Sequence, residues 1–167
     1  MTTPLMSLSF QVIEHIKKDK FFLEEIYRVL KPGGVALITT PNIKKTLTRN
    51  PWHEREYIDK ELKGLAEKVF DKVTLKGIHG NQKVMDYYER NKKSVQKITR
   101  FDIFNLQYRL PAPILRIPYD ILNRINRQSL MKKDNSLVSD ITYNDYFISD
   151  DTETCLDFFG IFQKRGL

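Results

Sequence analysis

RVLKPGGVALITTPN, residues 28–42, is the stretch that decides the fold. A helical pattern stops at Lys31-Pro32-Gly33-Gly34, an apolar run follows, and the run empties into Thr39-Thr40-Pro41-Asn42. Proline cannot continue a helix, and glycine supplies the backbone freedom for a sharp reversal. Residues 35–39 are apolar without polar alternation, which is how a strand buried on both faces reads. Upstream, Phe22, Leu23, Ile26, Val29 and Leu30 recur at helical spacing, predicting a helix from a capping Asp19 to about residue 30. Before it, residues 5–10 have strand character, broken by Ser7 and Ser9.

Downstream the alternation continues. A helix is expected from Asp59, burying Leu62, Leu65, Ala66 and Val69. Residues 73–78 read as a strand running into Gly77-Ile78-His79-Gly80-Asn81, and LDFFGIFQ (156–163) as the last strand. Between them lies an insert, helical around 84–98 and 119–130 and punctuated by Pro111, Pro113 and Pro118. Strands alternating with helices imply parallel pairing, right-handed crossovers and ligands at the carboxyl ends of the strands. The expected organisation is an α/β core over 1–81, a helical basic insert over 82–154, and a return to the core over 155–167.

Composition bounds the classes. The 167 residues are 41% hydrophobic and 29% charged, ordinary for one globular domain with a core. No apolar run reaches the ~18 residues of a membrane span, and no basic region precedes an apolar stretch as in a signal peptide. The lone Cys155 excludes an internal disulfide and fits a reducing, cytoplasmic setting. Of the net +7, residues 91–133 carry +8, with ten Lys or Arg against Asp102 and Asp120, so the rest of the chain sums to −1.

SFQVIEHI (9–16), FLEEIYRVLKPGG (22–34) and LITTPN (37–42) together resemble class I S-adenosylmethionine-dependent methyltransferases of the type 11/12-like groups. The resemblance implies a partial Rossmann-like sheet holding family strands four, five and six, with an antiparallel seventh strand in 156–163. The family's glycine-rich loop and the acidic residue that holds the cofactor ribose have no counterpart here. Gly33-Gly34 precedes a strand instead of opening a helix, so it cannot present a helix N-terminus to an anion. The resemblance therefore implies a C-terminal half, a truncated or split product that alone neither binds S-adenosylmethionine tightly nor methylates. A missing N-terminal half is the partner this implies. Of the cofactor contacts, only Phe10 and Gln11 are implied.

Gln11, Glu14 and His15 fall at i, i+3 and i+4, one face of a helical turn. Farther on comes NPWHEREY (50–57), on the loop after the second strand. A Glu-His pair with a distant His resembles the metal-dependent ubiquinone-pathway O-methyltransferases and small-RNA 2′-O-methyltransferases. That resemblance implies Glu14, His15 and His53 as ligands of a divalent ion such as Mg, which lowers the pKa of an acceptor hydroxyl. Gln11 stands where those families have a further carboxylate. The competing reading makes His15 or His53 a metal-free general base, with Glu14 bracing the turn. Asn42, Trp52 and Tyr57 are expected to contact the acceptor; His79 reads as a loop-shaping residue, and Tyr87 and Tyr88 as helix packing.

The basic insert suggests a lid over an anionic acceptor, a nucleotide-linked or lipid-linked glycan or an anionic surface, or else phosphate contacts to nucleic acid. Phe101, Phe104 and Tyr108 approach the interleaving that a base-stacking platform needs. The expected function is methyl transfer to a hydroxyl of a small-molecule, glycan or lipid-linked acceptor. An RNA 2′-O-methyltransferase-like enzyme and a non-catalytic partner subunit are the alternatives.

Overall fold

The computed structural model describes residues 6–100, 102, 104–133 and 140–166, without the side chains of 130–133. Residue 5 of the expected first strand, Phe101, and the side chains of Leu130, Lys132 and Lys133 lie outside the described residues. Five strands form one sheet: β1 (Met6–Phe10), β2 (Val35–Pro41), β3 (Lys72–Gly80), β4 (Tyr146–Ser149) and β5 (Asp157–Gln163), in the order β1-β2-β5-β3-β4. β1 and β2 run parallel, with Met6 beside Val35. β5 is antiparallel to both β2 and β3, Gln163 facing Val35 on one side and Lys72 on the other. The inverted strand thus lies inside the sheet, as expected. β4 was not anticipated: its four residues carry no hydrophobic alternation.

Helix α1 (Asp19–Val29) buries Leu23 and Ile26, and α2 (Asp59–Ala66) buries Leu62, Leu65 and Ala66. The core unites them with Ile13, Leu30, Ala36, Ile38, Tyr57, Phe70, Phe158 and Phe162. Asp19 is the first residue of α1 and not its cap; its carboxylate instead accepts the Tyr57 hydroxyl at 3.0 Å. At the reversal Gly33 takes φ +76°, and its N–H donates to the Arg165 carbonyl at 3.0 Å. A side chain there would be strained. Gly77 has a different reason: a Cβ would lie under 3.0 Å from the Asp151 carbonyl oxygen and the Cys155 Cβ. The sheet ends at β1, whose Met6, Leu8 and Phe10 are each more than half exposed.

The chain divides into two compact units. The first comprises Met1–Lys45, His53–His79 and Ile148–Leu167, and the second Thr46–Trp52 with Gly80–Phe147. The second unit holds α3 (Gln82–Thr99), the short α4 (Leu106–Arg109) and α5 (Ala112–Lys133). Two of the expected proline interruptions are corrected. Pro111 precedes α5, but Pro113 lies in its first turn, where no amide hydrogen is needed, and Pro118 lies inside it. The helix continues through Pro118 at the cost of one backbone hydrogen bond.

Asn81 caps α3 by accepting from the amides of Lys83 and Val84 at 3.1 and 3.2 Å. Asp145 holds that cap: it accepts from the Asn81 amide at 2.8 Å, the Thr142 N–H at 2.7 Å and Lys83 Nζ at 3.3 Å. The Thr142 amide, the Asn81 side chain and then the Lys83 ammonium pull its pKa down to about 2. A depressed carboxylate stabilises the fold above its unfolded pKa of about 4 and loses that contribution as pH falls through the folded value. Acid titration of helicity by circular dichroism is therefore expected to show a stability loss between about pH 4 and pH 2 that Asp145→Asn flattens. Parallel acid curves for both proteins would refute it.

Candidate active site at the carboxyl ends of β1 and β2

β1 delivers the chain to the rim at Phe10, which is 54% exposed. Gln11 then turns it sharply, with φ 54°, a left-handed conformation uncommon for a residue with a side chain. Its N–H donates to the Thr39 carbonyl at 3.0 Å, and its side-chain amide donates to Asp157 Oδ1 at 3.3 Å. Burial pushes the Asp157 carboxyl above the usual carboxylate range, and the Gln11 amide opposes that shift. The expectation that Gln11, Glu14 and His15 share one helical face is thereby corrected. Gln11 precedes the single turn Ile13–His15 and reaches toward β5.

In that turn Ile13 and Glu14 are buried while His15 faces solvent. Glu14 Oε2 accepts from the Thr40 hydroxyl at 2.9 Å, so the last threonine of β2 aims the carboxylate. Glu14 Oε1 is buried and has no hydrogen-bond partner among the described residues. The Glu14 backbone carbonyl accepts from the amides of Glu54 and Arg55 at 2.8 and 3.2 Å. Those two bonds fasten the segment that follows His53 against the turn that carries His15.

The outcome is a cluster. The His15 and His53 rings meet edge-on, centroids 4.8 Å apart. Ligating atoms of Glu14, His15 and His53 all lie within 4.8 Å of one another. His53 Nδ1 donates to Glu56 Oε1 at 2.6 Å, with only 13% and 9% of the two side chains exposed. That bond fixes the imidazole tautomer and puts the basic lone pair on Nε2.

The structure separates the other sequence candidates. Asn42 and Tyr57, expected to contact the acceptor, are fully buried. Asn42 donates from Nδ2 to the Cys155 carbonyl at 3.0 Å and accepts from the Lys44 amide at 3.1 Å. The Tyr57 hydroxyl is engaged by Asp19, and burial together with that bond pushes its pKa far up. Trp52 belongs to the second unit, where its indole N–H donates to Asp120 at 3.1 Å and the Arg116 guanidinium lies 4.4 Å from the ring centre. His79 approaches the Asp151 carbonyl and the Ser149 hydroxyl, both at 2.9 Å, and shapes the chain before β5.

Sequence reading assigned no part to Thr40 or Glu56. The signal for Glu56 was present as the spacing of three from His53. Thr40 gave no local signal, since only parallel pairing of β1 with β2 sets it opposite the turn.

Residues 6–38 match the family described as methyltransferase domain. Over 80 residues the chain is 41% identical to a probable S-adenosylmethionine-dependent methyltransferase of Mycolicibacterium smegmatis, covering 44% of this chain and 31% of that protein. Two solved structures of Haemonchus contortus phosphoethanolamine N-methyltransferase 2 are similar at TM-scores of 0.45 and 0.44. They share 17% and 16% identity with it over 96% of this chain and 33% of theirs. The first holds phosphomonomethylethanolamine and S-adenosylhomocysteine, the second S-adenosyl-L-methionine. This chain spans about a third of the length of the relatives it matches. By the family match over residues 6–38 and the 41% identical stretch, this part of the chain is similar to S-adenosylmethionine-dependent methyltransferases.

Proposed function

We propose that this chain supplies the acceptor-handling side of an S-adenosylmethionine-dependent O-methyltransferase, with His53 as the general base. The acceptor class is a hydroxyl on a small-molecule, glycan or lipid-linked compound. One observation carries the reading: a buried carboxylate and two imidazoles converge at the carboxyl ends of β1 and β2, where such sheets bind ligands. Bound S-adenosylmethionine supplies an electrophilic methyl group on a sulfonium, and Phe10 and Gln11 are the residues of this chain that would border it.

A hydroxyl attacks such a methyl group poorly until its proton is withdrawn. His53 Nε2 takes that proton as the new O–C bond forms and the S–C bond breaks. Glu56 holds the ring and stabilises the imidazolium that results, as a carboxylate does behind a histidine base. The Glu14 carboxylate, close to both rings, favours the same positive charge.

Glu14 Oε1 favours a second reading, because a buried carboxylate oxygen without a partner is where a cation would bind. Glu14, His15 and His53 would hold a divalent ion, whose contribution is to polarise the acceptor oxygen. Two imidazoles and one carboxylate suit zinc or iron better than the Mg suggested by resemblance.

Methyl transfer from labelled cofactor to hydroxyl and amine acceptors, assayed on this chain joined to the cofactor-binding half that the resemblance implies, with and without a chelator, separates the readings. The base reading expects hydroxyl methylation that survives chelation. In the metal reading chelation abolishes activity, metal restores it, and Glu14→Gln weakens metal binding by calorimetry about 10- to 100-fold or more. Transfer to amines alone would overturn both.

A further inference from the structure

Helix α5 of the second unit carries an apolar face that none of the described residues of that unit covers. Ile114, Ile117, Ile121 and Ile125 recur at spacings of three or four, and they are 59, 71, 54 and 55% exposed. Single exposed apolar residues are ordinary, but a contiguous stripe marks an interaction surface. The same unit holds an apolar cavity of about 340 Å³. Phe104, Leu106 and Leu122 line it and are themselves 68, 45 and 44% exposed, so they form its mouth, next along α5 from Ile121. Partly buried Val95, Ile98 and Leu115 line the rest.

The charged groups and one amide on the cavity wall are already engaged. Asp102 accepts from the amides of Leu106 and Gln107. Asn126 bonds Asn91 and Ser94, and Arg49 donates to the carbonyls of Gln107 and Leu110. The cavity therefore suits an apolar group. The segment that forms it is net basic: residues 91–133 sum to +8, with Lys93, Lys97, Arg100, Arg109, Arg124 and Arg127 exposed. Asp102 and Asp120 are the segment's acidic residues, and both are hydrogen-bonded within the unit.

We infer that the second unit docks on an anionic phospholipid bilayer, with the isoleucine stripe of α5 in the headgroup boundary and the cavity receiving one acyl chain. Apolar burial and basic charge acting together are what hold an interfacial helix to anionic lipid. No described helix is long and apolar enough to cross a membrane, so the contact is interfacial. A second copy of the chain would bring a second +8 to the same face, and a nucleic acid would leave the isoleucines without a partner. The docking does not rest on the reading of the histidine site, and a protein without methyl transfer would still show it.

The test is co-sedimentation of the protein with vesicles of phosphatidylcholine alone or of equal parts phosphatidylcholine and phosphatidylglycerol. Binding is expected on the mixed vesicles, at least about tenfold weaker on the neutral ones, and weakened by salt. Brominated acyl chains are expected to quench Trp52, the single tryptophan, which lies beside the cavity residue Pro51. Ile117→Asp with Ile121→Asp is expected to lower binding at least about tenfold. Should that variant lose its helical signal, Arg124→Glu with Arg127→Glu, at exposed sites, is expected to do the same. Equal sedimentation with both vesicle types, or with neither, would overturn the inference. So would an isoleucine variant that dissociates a dimer but still binds vesicles, or RNA binding without vesicle binding.

Discussion

His53→Ala, in the chain joined to a cofactor-binding half, is expected to lower methyl transfer to a hydroxyl acceptor by about 10²- to 10⁴-fold, the usual contribution of a positioned general base. The expectation rests on two distances: 2.6 Å from His53 Nδ1 to Glu56, and 4.8 Å between the His15 and His53 rings. Glu56 touches no reacting atom in this scheme, and it acts by holding the ring. Glu56→Gln keeps the size of the side chain but removes the charge, and it is expected to cost about 10- to 100-fold. That loss should appear in kcat and leave the KM values for cofactor and acceptor nearly unchanged, because ground-state binding does not need the imidazolium. Folding damage alone would instead lower the active fraction, and active-site titration would detect it. His79→Gln is the internal control, since His79 engages Ser149 and Asp151. Equal losses at His53 and His79 would remove the base from the scheme.

The sequence made the sheet legible because its signals are local. The Pro32-Gly33-Gly34 break, the unalternated run after it and the paired phenylalanines of LDFFGIFQ each report on their own neighbourhood. The position of β5 between β2 and β3 came from family resemblance, since no property of one strand names its neighbours. β4 stayed hidden for a physical reason: it pairs at the edge of the sheet with exposed Tyr146, Phe147 and Ile148, so neither burial nor alternation marks it.

The site was legible in its chemistry and less so in its contacts. Glu14, His15 and His53 could be grouped because the resemblance rests on a Glu-His pair and a distant His, which are visible in one dimension. The burial of Asn42 and Tyr57 was not legible because a polar or aromatic residue on a rim loop looks the same whether it faces solvent or the core. Their burial depends on Cys155 and Asp19, which lie 113 and 38 residues away in the chain. Gln11 was misplaced because helical spacing assumes a continuous helix, and its left-handed φ breaks the count.

Phe162→Ala is expected to destabilise the first unit by about 3–5 kcal/mol, within the range for a fully buried phenylalanine cut to alanine. Phe162 is fully buried in the inverted strand, paired with Ala36 of β2 and Val73 of β3. The small Ala36 and the bare Gly160 leave room for its ring, and a Cβ on Gly160 would come under 3.0 Å from that ring. Phe70 packs on it at 5.4 Å between centroids, and Tyr27 meets Phe70 edge-on at 5.5 Å. Removing Phe162 therefore opens a cavity at the point where β2, β5 and the chain leading into β3 meet. Backbone hydrogen bonds on both sides of β5 prevent collapse into that space. Set against a typical total of about 5–15 kcal/mol, a loss of this size moves the denaturation midpoint far down with little change in slope. Phe21→Ala is the comparison, because Phe21 is 58% exposed on α1 and its loss should stay within about 0.5 kcal/mol. Urea unfolding followed by far-ultraviolet circular dichroism measures both. Should the two substitutions prove equally mild, β5 does not occupy the interior of this sheet.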